Sequence, residues 1–105
     1  MILFHITTKY NLNNIVTNGL IPQKKKRGKG FEGSKHAIYF FNSRIDAEDG
    51  YFNWFEDCFD DDEEFALLTV EISSDLISPD PELPNSCSIC FNKISPECIK
   101  KIEDF

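Results

Sequence analysis

Short apolar runs, separated by polar or glycine- and proline-containing stretches, divide the sequence into strands and helices. Four of these runs are rich in β-branched and aromatic residues and have the length of ordinary strands. They cover residues 2–7, 37–41, 65–72 and 87–91. Because residues 37–41 are apolar without a break, we expect this second strand to be buried on both faces.

A first helix is predicted directly after the first strand. Thr8 can cap its N-terminus. Gly19 follows its last residue, Asn18, and glycine readily adopts the positive φ that ends a helix. Three apolar residues at helical spacing form the stripe that we expect to be buried, namely Leu12, Ile15 and Val16. Residues 23–35, which are rich in glycine and lysine, are then predicted to form a loop.

A second, longer helix is predicted to begin at Ser43 and to run to about Phe59. Ser43 and Asp46 have the spacing of a capping box. Two adjoining stripes of this helix are mostly apolar. One consists of Ile45, Phe52, Phe55 and Phe59, and the other consists of Ala47, Tyr51, Trp54 and Cys58. Gly50 lies inside the helix and costs about 1 kcal/mol relative to alanine, so a break into two shorter helices also fits the pattern.

The remaining segments are predicted to be turns and loops. An acidic turn covers residues 60–64, and a loop with three prolines covers residues 78–84. A closing turn covers residues 94–99, where Pro96 can begin a short helix. Together the elements predict one α+β domain over residues 1–105, with a small, twisted, mostly antiparallel sheet of short strands and two or three helices.

Composition is typical of a globular intracellular domain. The 105 residues suffice for one hydrophobic core. No stretch approaches the roughly 18 apolar residues of a membrane span. No basic segment precedes the apolar N-terminal run, so we expect no signal peptide. The four cysteines are therefore expected to be reduced thiols of a cytoplasmic protein rather than disulfide partners.

The charge is strongly negative and unevenly distributed. A formal net charge of −7 argues against direct binding to nucleic acid. Ten of the eighteen acidic residues lie between Asp46 and Glu64. Such a surface is either simply solvated or a binding surface for a partner protein with a basic surface. The acidic residues that would form it are Asp46, Asp49, Glu56, Asp57, Asp60, Asp61 and Asp62.

His5 is the unusual residue of the first strand. A buried strand has no ordinary use for an ionisable imidazole, although a hydrogen-bonded core histidine is the simplest explanation. Thr7 lies two residues further on, so its side chain points to the same face as His5 and could share a ligand with it. Cys87 and Cys90 have a spacing seen among metal ligands, but on a strand they point to opposite faces. We therefore expect no metal site.

The order of these motifs resembles the ADP-ribosyltransferase fold, in the branch with a His-Tyr-Glu active site that includes the poly(ADP-ribose) polymerase catalytic domain. The resemblance lies in the Phe-His-Ile-Thr motif at residues 4–7, the Ile-Tyr-Phe motif at residues 38–40 and the Ile-Ser-Pro turn at residues 94–96. It implies a split antiparallel sheet, NAD as the cofactor and a protein or nucleic acid as the acceptor.

The resemblance also implies which residues hold NAD. His5 and Thr7 would bind the adenosine-side ribose through hydrogen bonds. Tyr51 would stack against the nicotinamide ring and act in catalysis, with Tyr39 as the second candidate. An aromatic side chain suits this role because a flat cation is well held against a π-face.

The third motif departs from the family pattern. The family's glutamate falls at Ser86, which can keep a polar contact with the cofactor but cannot place a negative charge beside a developing cation. Glu82 is the nearest carboxylate and the candidate catalytic residue. Two functions are therefore predicted. One is an NAD-dependent ADP-ribosyltransferase, active or degenerate. The other is a non-catalytic acidic inhibitor of phage or bacterial type that binds a basic, nucleic-acid-binding surface of a partner protein.

Overall fold

The computed structural model describes residues 1–24, 36–51 and 64–105. The strands in this part of the chain are β1 (Ile2–Thr8), β2 (Gln23–Lys24), β3 (His36–Phe41), β4 (Phe65–Glu71), β5 (Ile77–Pro79), β6 (Cys87–Cys90) and β7 (Ile99–Asp104). The α-helices there are α1 (Leu12–Asn18) and α2 (Arg44–Gly50), and single 3₁₀ turns cover Lys9–Asn11, Ser74–Leu76 and Pro96–Cys98.

The strands form one antiparallel sheet. Its order is β5-β6-β3-β1-β4-β7, and the short β2 pairs with the beginning of β3. Each recorded pairing is antiparallel. The predicted α+β class, with short strands in a mostly antiparallel sheet and two helices in the described part of the chain, is confirmed.

β1 is paired much more extensively with β4 than with β3. Along its whole length β1 is paired with β4, with residues 2–8 opposite residues 65–71. Its register with β3 consists of one pair, Phe4 opposite Phe41. The sheet is therefore continuous on the β4 side of β1 and only locally joined on the β3 side.

Alternation along the strands produces one hydrophobic cluster on each side of the sheet. The side covered by α1 is called the α1 face, and the side covered by α2 is called the α2 face. The α1 face includes Leu3, Ile38, Phe40, Leu68, Val70 and Cys90, and Ile15 of α1 packs on it. The α2 face includes Ile6, Phe41, Phe65, Leu67 and Cys87, and Ala47 of α2 packs on it. Because His5 and Thr7 alternate with Ile6, their side chains belong to the α1 face.

The helix α2 begins and packs as its sequence dictates. The predicted capping interaction is confirmed, since the Asp46 N–H donates to Ser43 Oγ over 3.0 Å. The Ser43 hydroxyl in turn donates to Asp46 Oδ2 over 2.8 Å. At the other end, a Cβ atom on Gly50 would overlap the ring of Phe41. Glycine at this position therefore allows the helix to approach the sheet closely.

The two stripes predicted for the second helix differ in outcome. Ile45 of the first stripe is 69% exposed, whereas Ala47 of the adjoining stripe is fully buried, so the helix contacts the sheet through small residues of the adjoining stripe. α2 ends at Gly50, and residues 52–59 of the predicted helix lie outside the described residues. None of the helices that the structure describes is long and apolar enough to cross a membrane.

The first helix begins later than predicted, at Leu12. A 3₁₀ turn precedes it, and the Thr8 side chain makes no capping hydrogen bond. Ile15 is buried as expected, but Val16 is 48% exposed, because a helix of two turns offers only a narrow contact stripe. Gly19 has φ 82°, which confirms the predicted stop signal.

The strands at the two sheet edges differ from the expectation. β5 lies at the start of the segment predicted to be a proline-rich loop, and Pro79 is tolerated because β5 is an edge strand. The predicted short helix at Pro96 is confirmed as a 3₁₀ turn, but the chain then continues as β7. The sequence of β7, Ile-Lys-Lys-Ile-Glu-Asp, is mostly charged and lacks the alternation of a half-buried strand.

Candidate functional site

His5 links two strands whose backbones are barely paired. On β1 it lies opposite Leu68 of β4, directly after the single β1–β3 pair at Phe4. Its Nδ1 atom is 2.7 Å from the carbonyl oxygen of Tyr39 on β3. The imidazole therefore supplies a hydrogen bond between β1 and β3 beyond their registered pair.

This hydrogen bond determines which ring nitrogen of His5 carries the proton. A carbonyl oxygen can only accept, so Nδ1 must donate to Tyr39. In the neutral ring Nε2 then has an unshared lone pair. Within the described residues, Nε2 has no hydrogen-bond partner. The neutral side chain thus offers one acceptor atom to a ligand.

The surroundings of His5 keep the ring neutral. Burial lowers the pKa of the imidazole below its ordinary value of 6.5, and the hydrogen bond to the Tyr39 carbonyl opposes this shift only in part. The ring packs against Phe40 with a centroid distance of 5.7 Å and an interplanar angle of 59°. The acceptor form of Nε2 is therefore the form present at neutral pH.

Thr7 adds a second unused polar group on the same face. It lies opposite Ala66 on β4, and only 6% of the residue is exposed. In the part of the chain that the structure describes, its hydroxyl has no hydrogen-bond partner. Leaving a buried hydroxyl without a partner costs about 1–3 kcal/mol. His5 and Thr7 thus present an acceptor and a hydroxyl within two residues of one strand and on the same face of the sheet.

The two candidate tyrosines are not brought together with this pair. On β3, Tyr39 alternates with Phe40, so its side chain is on the α2 face and only its backbone carbonyl meets His5. Tyr51, directly after α2, packs edge-on against Phe65 at 5.4 Å and Phe105 at 5.2 Å. The aromatic side chains predicted to stack a nicotinamide therefore lie on the opposite side of the sheet from His5.

The predicted third-motif position lies in the turn that leads into β6. The Ser86 carbonyl accepts a hydrogen bond from the Asn42 N–H over 2.9 Å, which fixes the turn against the end of β3. Glu82 is exposed, and its backbone N–H donates to the buried Asp80 carboxylate over 3.0 Å. No carboxylate is among the contacts of His5 in the described residues.

The sequence does not predict a polar pair that lies near this turn. The Ser88 hydroxyl, on a residue that is 8% exposed, donates to Oδ1 of Asn42. The Asn42 amide donates to the Asn85 carbonyl over 3.3 Å. Ser88 lies opposite Phe40, so this pair belongs to the α1 face, as His5 does. The alternation of residues 87–91 predicts a polar residue at position 88, but nothing in the sequence indicates that Asn42 is its partner.

The acidic residues are only partly described. Asp46 is half-buried, and its carboxylate accepts a hydrogen bond from the Ser43 hydroxyl at the N-terminus of α2. It is therefore not part of an open binding surface. Asp49 is exposed. The rest of the predicted acidic surface, consisting of Glu56, Asp57, Asp60, Asp61 and Asp62, lies outside the described residues.

The cysteines behave as the strand pattern predicts. Cys87 packs on the α2 face and Cys90 on the α1 face, so the two thiols point away from each other. Both are buried, and Cys98 is half-buried. Within the described ranges, no three His, Cys, Asp or Glu residues lie together in a way that could hold a metal ion.

A shallow cavity lies at the opposite end of β1. It is lined by Met1, Glu71, Ser73 and Glu97 among others, and neither His5 nor Thr7 belongs to it. The candidate pair is therefore a position on the sheet face and not part of this cavity.

Comparison with known proteins identifies no family for this chain. No model of a known protein family matches the chain. A search of curated proteins finds no significantly similar sequence. The geometry of His5 and Thr7, together with the order of the sequence motifs, is what the functional proposal rests on.

Proposed function

We propose that the protein is an NAD-binding domain of the ADP-ribosyltransferase kind. The observation that carries the proposal is the His5 imidazole, whose Nδ1 is bound to the Tyr39 carbonyl while Nε2 is left as an acceptor on the face of β1 that also carries Thr7. The order of the Phe-His-Ile-Thr, Ile-Tyr-Phe and Ile-Ser-Pro motifs supports the same cofactor.

The chemistry of the pair suits a ribose. A ribose hydroxyl donates to Nε2 of His5, and the Thr7 hydroxyl makes a second hydrogen bond to the same sugar. Both groups start without a protein partner in the described residues, so a ligand adds hydrogen bonds without breaking any. Phe40 beside the imidazole restricts the ring and so limits the entropy lost on binding.

Binding is better supported than group transfer. NAD supplies a labile bond between its ribose and the nicotinamide, and an acceptor on a protein or nucleic acid would take the ADP-ribose. A carboxylate beside the reacting ribose would stabilise positive charge in the transition state. Ser86 is neutral, and Glu82 is exposed at the far end of the turn. We therefore expect NAD to bind and ADP-ribose transfer to be slow or absent.

Thermal unfolding with NAD tests the binding. NAD at 100 times its dissociation constant stabilises the native state by roughly 2.7 kcal/mol, which appears as a rise in Tm. His5→Asn should abolish the rise, because the asparagine amide can donate to Tyr39 in place of Nδ1 but has no atom at the position of Nε2. His36→Asn, which changes the other histidine of the sequence, is the matched control. A wild-type Tm that does not respond to NAD would overturn the proposal.

Transfer needs its own assay. The protein is incubated with NAD labelled in the adenine ring, with and without a bacterial extract. Released nicotinamide and labelled acceptors are then measured. We expect release to be close to background, and Glu82→Gln to leave it unchanged. Rapid release that Glu82→Gln removes would show that Glu82 acts as the catalytic carboxylate.

A second candidate function follows from the concentration of acidic residues. A non-catalytic acidic protein could bind the basic, nucleic-acid-binding surface of a partner. Asp49 is exposed and, among the described residues, has no ion pair. Binding would weaken steeply with salt, because exposed charges are screened over about 10 Å at 0.1 M. Reversing the charge of Asp60, Asp61 and Asp62 should abolish capture of such a partner, and unchanged capture would exclude this function.

We further propose that the protein works in the cytoplasm. The buried Cys90 and the half-buried Cys98 are free thiols, which fits a reducing compartment. Fractionation of cells that produce the native chain, followed by immunodetection, tests this location.

A further inference from the structure

The two edges of the sheet differ in how open they are. β5 is three residues long and ends in Pro79, which cannot donate a hydrogen bond to another strand. β7 is six residues long and contains no proline. Within the described residues, β4 is its one partner, so its outer edge is unpaired. A long unpaired edge is a template on which another strand can add.

The backbone of Ile102 points out from this edge. The N–H of Phe105 donates to the Phe65 carbonyl over 3.0 Å, so Phe105 points toward β4. Backbone groups alternate along an antiparallel strand, so those of Glu103 also point toward β4 and those of Ile102 point away. The Ile102 residue is 43% exposed although it is apolar. The middle of the edge thus offers an N–H, a C=O and an apolar side chain.

The charges of β7 are arranged with opposite signs on the two sides of Ile102. Lys100 and Lys101 precede it, and Glu103 and Asp104 follow it. We propose that β7 pairs with β7 of a second copy of this chain, antiparallel and with Ile102 opposite Ile102. In this register each Lys101 lies opposite a Glu103, and each Lys100 opposite an Asp104. Opposite charges across a strand pair are stabilising.

The same charges oppose other arrangements. A parallel pairing in register would place Lys101 opposite Lys101 and Glu103 opposite Glu103. A shift of one residue would place Ile102 opposite a charged side chain. Charged residues on an edge usually oppose pairing, and like charges directly opposite each other are destabilising, whereas the antiparallel register with Ile102 opposite Ile102 places opposite charges together. The sequence of β7 is therefore compatible with one self-pairing register and unfavourable to the alternatives.

The charged residues of β7 also have partners within their own chain. Glu103 bonds to Arg44 over 2.8 Å, and Asp104 lies 2.9 Å from Lys9. A carboxylate has several acceptor sites, so these ion pairs can persist when a lysine of the second copy approaches. A bulge between Thr69 and Val70 makes the Lys100 end less regular. The centre of the interface is therefore the stretch of residues 101–103.

The pairing of two single strands buries little surface. Stable dimers usually bury well over 1,000 Å², so an edge-to-edge contact of this length forms a weak dimer whose population depends on concentration. The dimer leaves His5 and Thr7 unchanged, since they lie on β1 and β4 separates that strand from β7. Self-association can consequently be tested independently of NAD.

Sedimentation velocity over roughly a thousandfold range of concentration tests the association. The weight-average mass of the wild-type protein should rise from 12.1 kDa toward twice that value. Ile102→Lys puts two like charges opposite each other at the symmetry axis and should hold the mass at 12.1 kDa. Val16→Lys is the matched control, because Val16 is 48% exposed on α1, and it should behave as wild type. A wild-type mass that stays at the monomer value would overturn the proposal, as would an Ile102→Lys protein that still dimerises.

Disulfide trapping tests the register. Hydrogen-bonded residues in an antiparallel pair have Cα atoms about 5.5 Å apart, which a disulfide can bridge. Ile102→Cys should therefore give a covalent dimer on mild oxidation, faster than Lys101→Cys, whose two copies lie diagonally across the axis. The wild-type protein, with its native cysteines, is the background. Faster trapping at position 101 than at position 102, or equal trapping at background level, would contradict the proposed register.

Discussion

The two faces of the sheet use the same strand in different ways. On the α2 face, β1 contributes Ile6 to a cluster in which Tyr51 packs against Phe65 and Phe105. On the α1 face, the same strand contributes His5 and Thr7, whose Nε2 atom and hydroxyl have no partner among the described residues. Both faces carry a packed hydrophobic cluster, but on the α1 face β1 also contributes an imidazole nitrogen and a hydroxyl that cost stability unless a ligand uses them.

This difference separates residues that the resemblance would place in one site. The side-chain period of a strand is two, so only residues an even number of positions apart share a face. His5 and Thr7 share the α1 face. Tyr39 alternates with Phe40, which is on the α1 face, and therefore belongs to the other side. The candidate binding surface is thus the part of the α1 face around His5 and Thr7, whereas the two tyrosines belong to the α2 face. Four experiments test this division between the faces.

Gly50→Ala should produce the largest effect, because it acts on the close contact between α2 and the sheet. The new Cβ would overlap the ring of Phe41, which is 5% exposed and has little room to move. Overpacking of this kind costs about 1–3 kcal/mol, which outweighs the gain in helix propensity. Chemical denaturation measures it. Asp49→Ala on the exposed side of α2 is the control, and an equal change in both variants would show that α2 does not pack closely on Phe41.

Tyr51→Leu should destabilise the protein without changing its affinity for NAD. The loss of two edge-on aromatic contacts costs about 1.5 kcal/mol. Because Tyr51 lies on the α2 face, isothermal titration with NAD should give the wild-type dissociation constant. A large loss of affinity would show that Tyr51 reaches the ligand, as the family resemblance implies, and that the division between the faces fails.

Thr7→Val should raise stability and lower affinity for NAD. Valine replaces a buried hydroxyl that has no partner within the described residues, so the free energy of unfolding should rise by about 1 kcal/mol. Thr8→Val is the matched control. Thr8 is buried too, with 8% of the residue exposed, and its hydroxyl likewise has no partner in the described part of the chain. Its side chain points to the α2 face. Both variants should be stabilised, but only Thr7→Val should bind NAD more weakly.

The smallest effect is a dependence of stability on pH that comes from the α1 face. Since burial lowers the pKa of His5, the unfolded chain takes up a proton at a higher pH than the folded chain does. The free energy of unfolding should therefore fall as the pH falls below the ordinary histidine pKa of 6.5, until the folded His5 is protonated too. Denaturation at several pH values measures this fall. The difference between wild type and His5→Asn isolates His5 from His36, and identical profiles would contradict a buried neutral imidazole.

Much of the fold could be predicted because local signals and burial agree. The strand at residues 37–41, the cap at Ser43 and the stop at Gly19 each follow from one local rule. β7 could not be predicted, because an edge strand buries little and its charges resemble those of a loop. Periodicity places Ile45 and Ala47 on adjoining stripes of α2, but it does not show that Ala47 and Gly50 allow the closer approach to the sheet.

The candidate site was predictable only in part. The prediction that His5 and Thr7 share a face of the sheet follows from the period of a strand alone. The bond from His5 to the Tyr39 carbonyl depends on how β1 and β3 separate, which local sequence does not determine. For the same reason the sequence could not show that Tyr51 packs with Phe105, a contact between residues far apart in the chain. Long-range contacts decide which side chains meet.

The tautomer of the His5 ring shows whether Nε2 is available to a ligand. Nitrogen NMR of ¹⁵N-labelled imidazoles distinguishes the two neutral tautomers, and the His36→Asn variant leaves only the signals of His5. We predict a proton on Nδ1 and a bare Nε2 in the protein alone, and a saturable shift of the Nε2 signal when NAD is added. A proton on Nε2 in the neutral ring, or an Nε2 signal that NAD leaves unchanged, would contradict His5 as the residue that binds the cofactor.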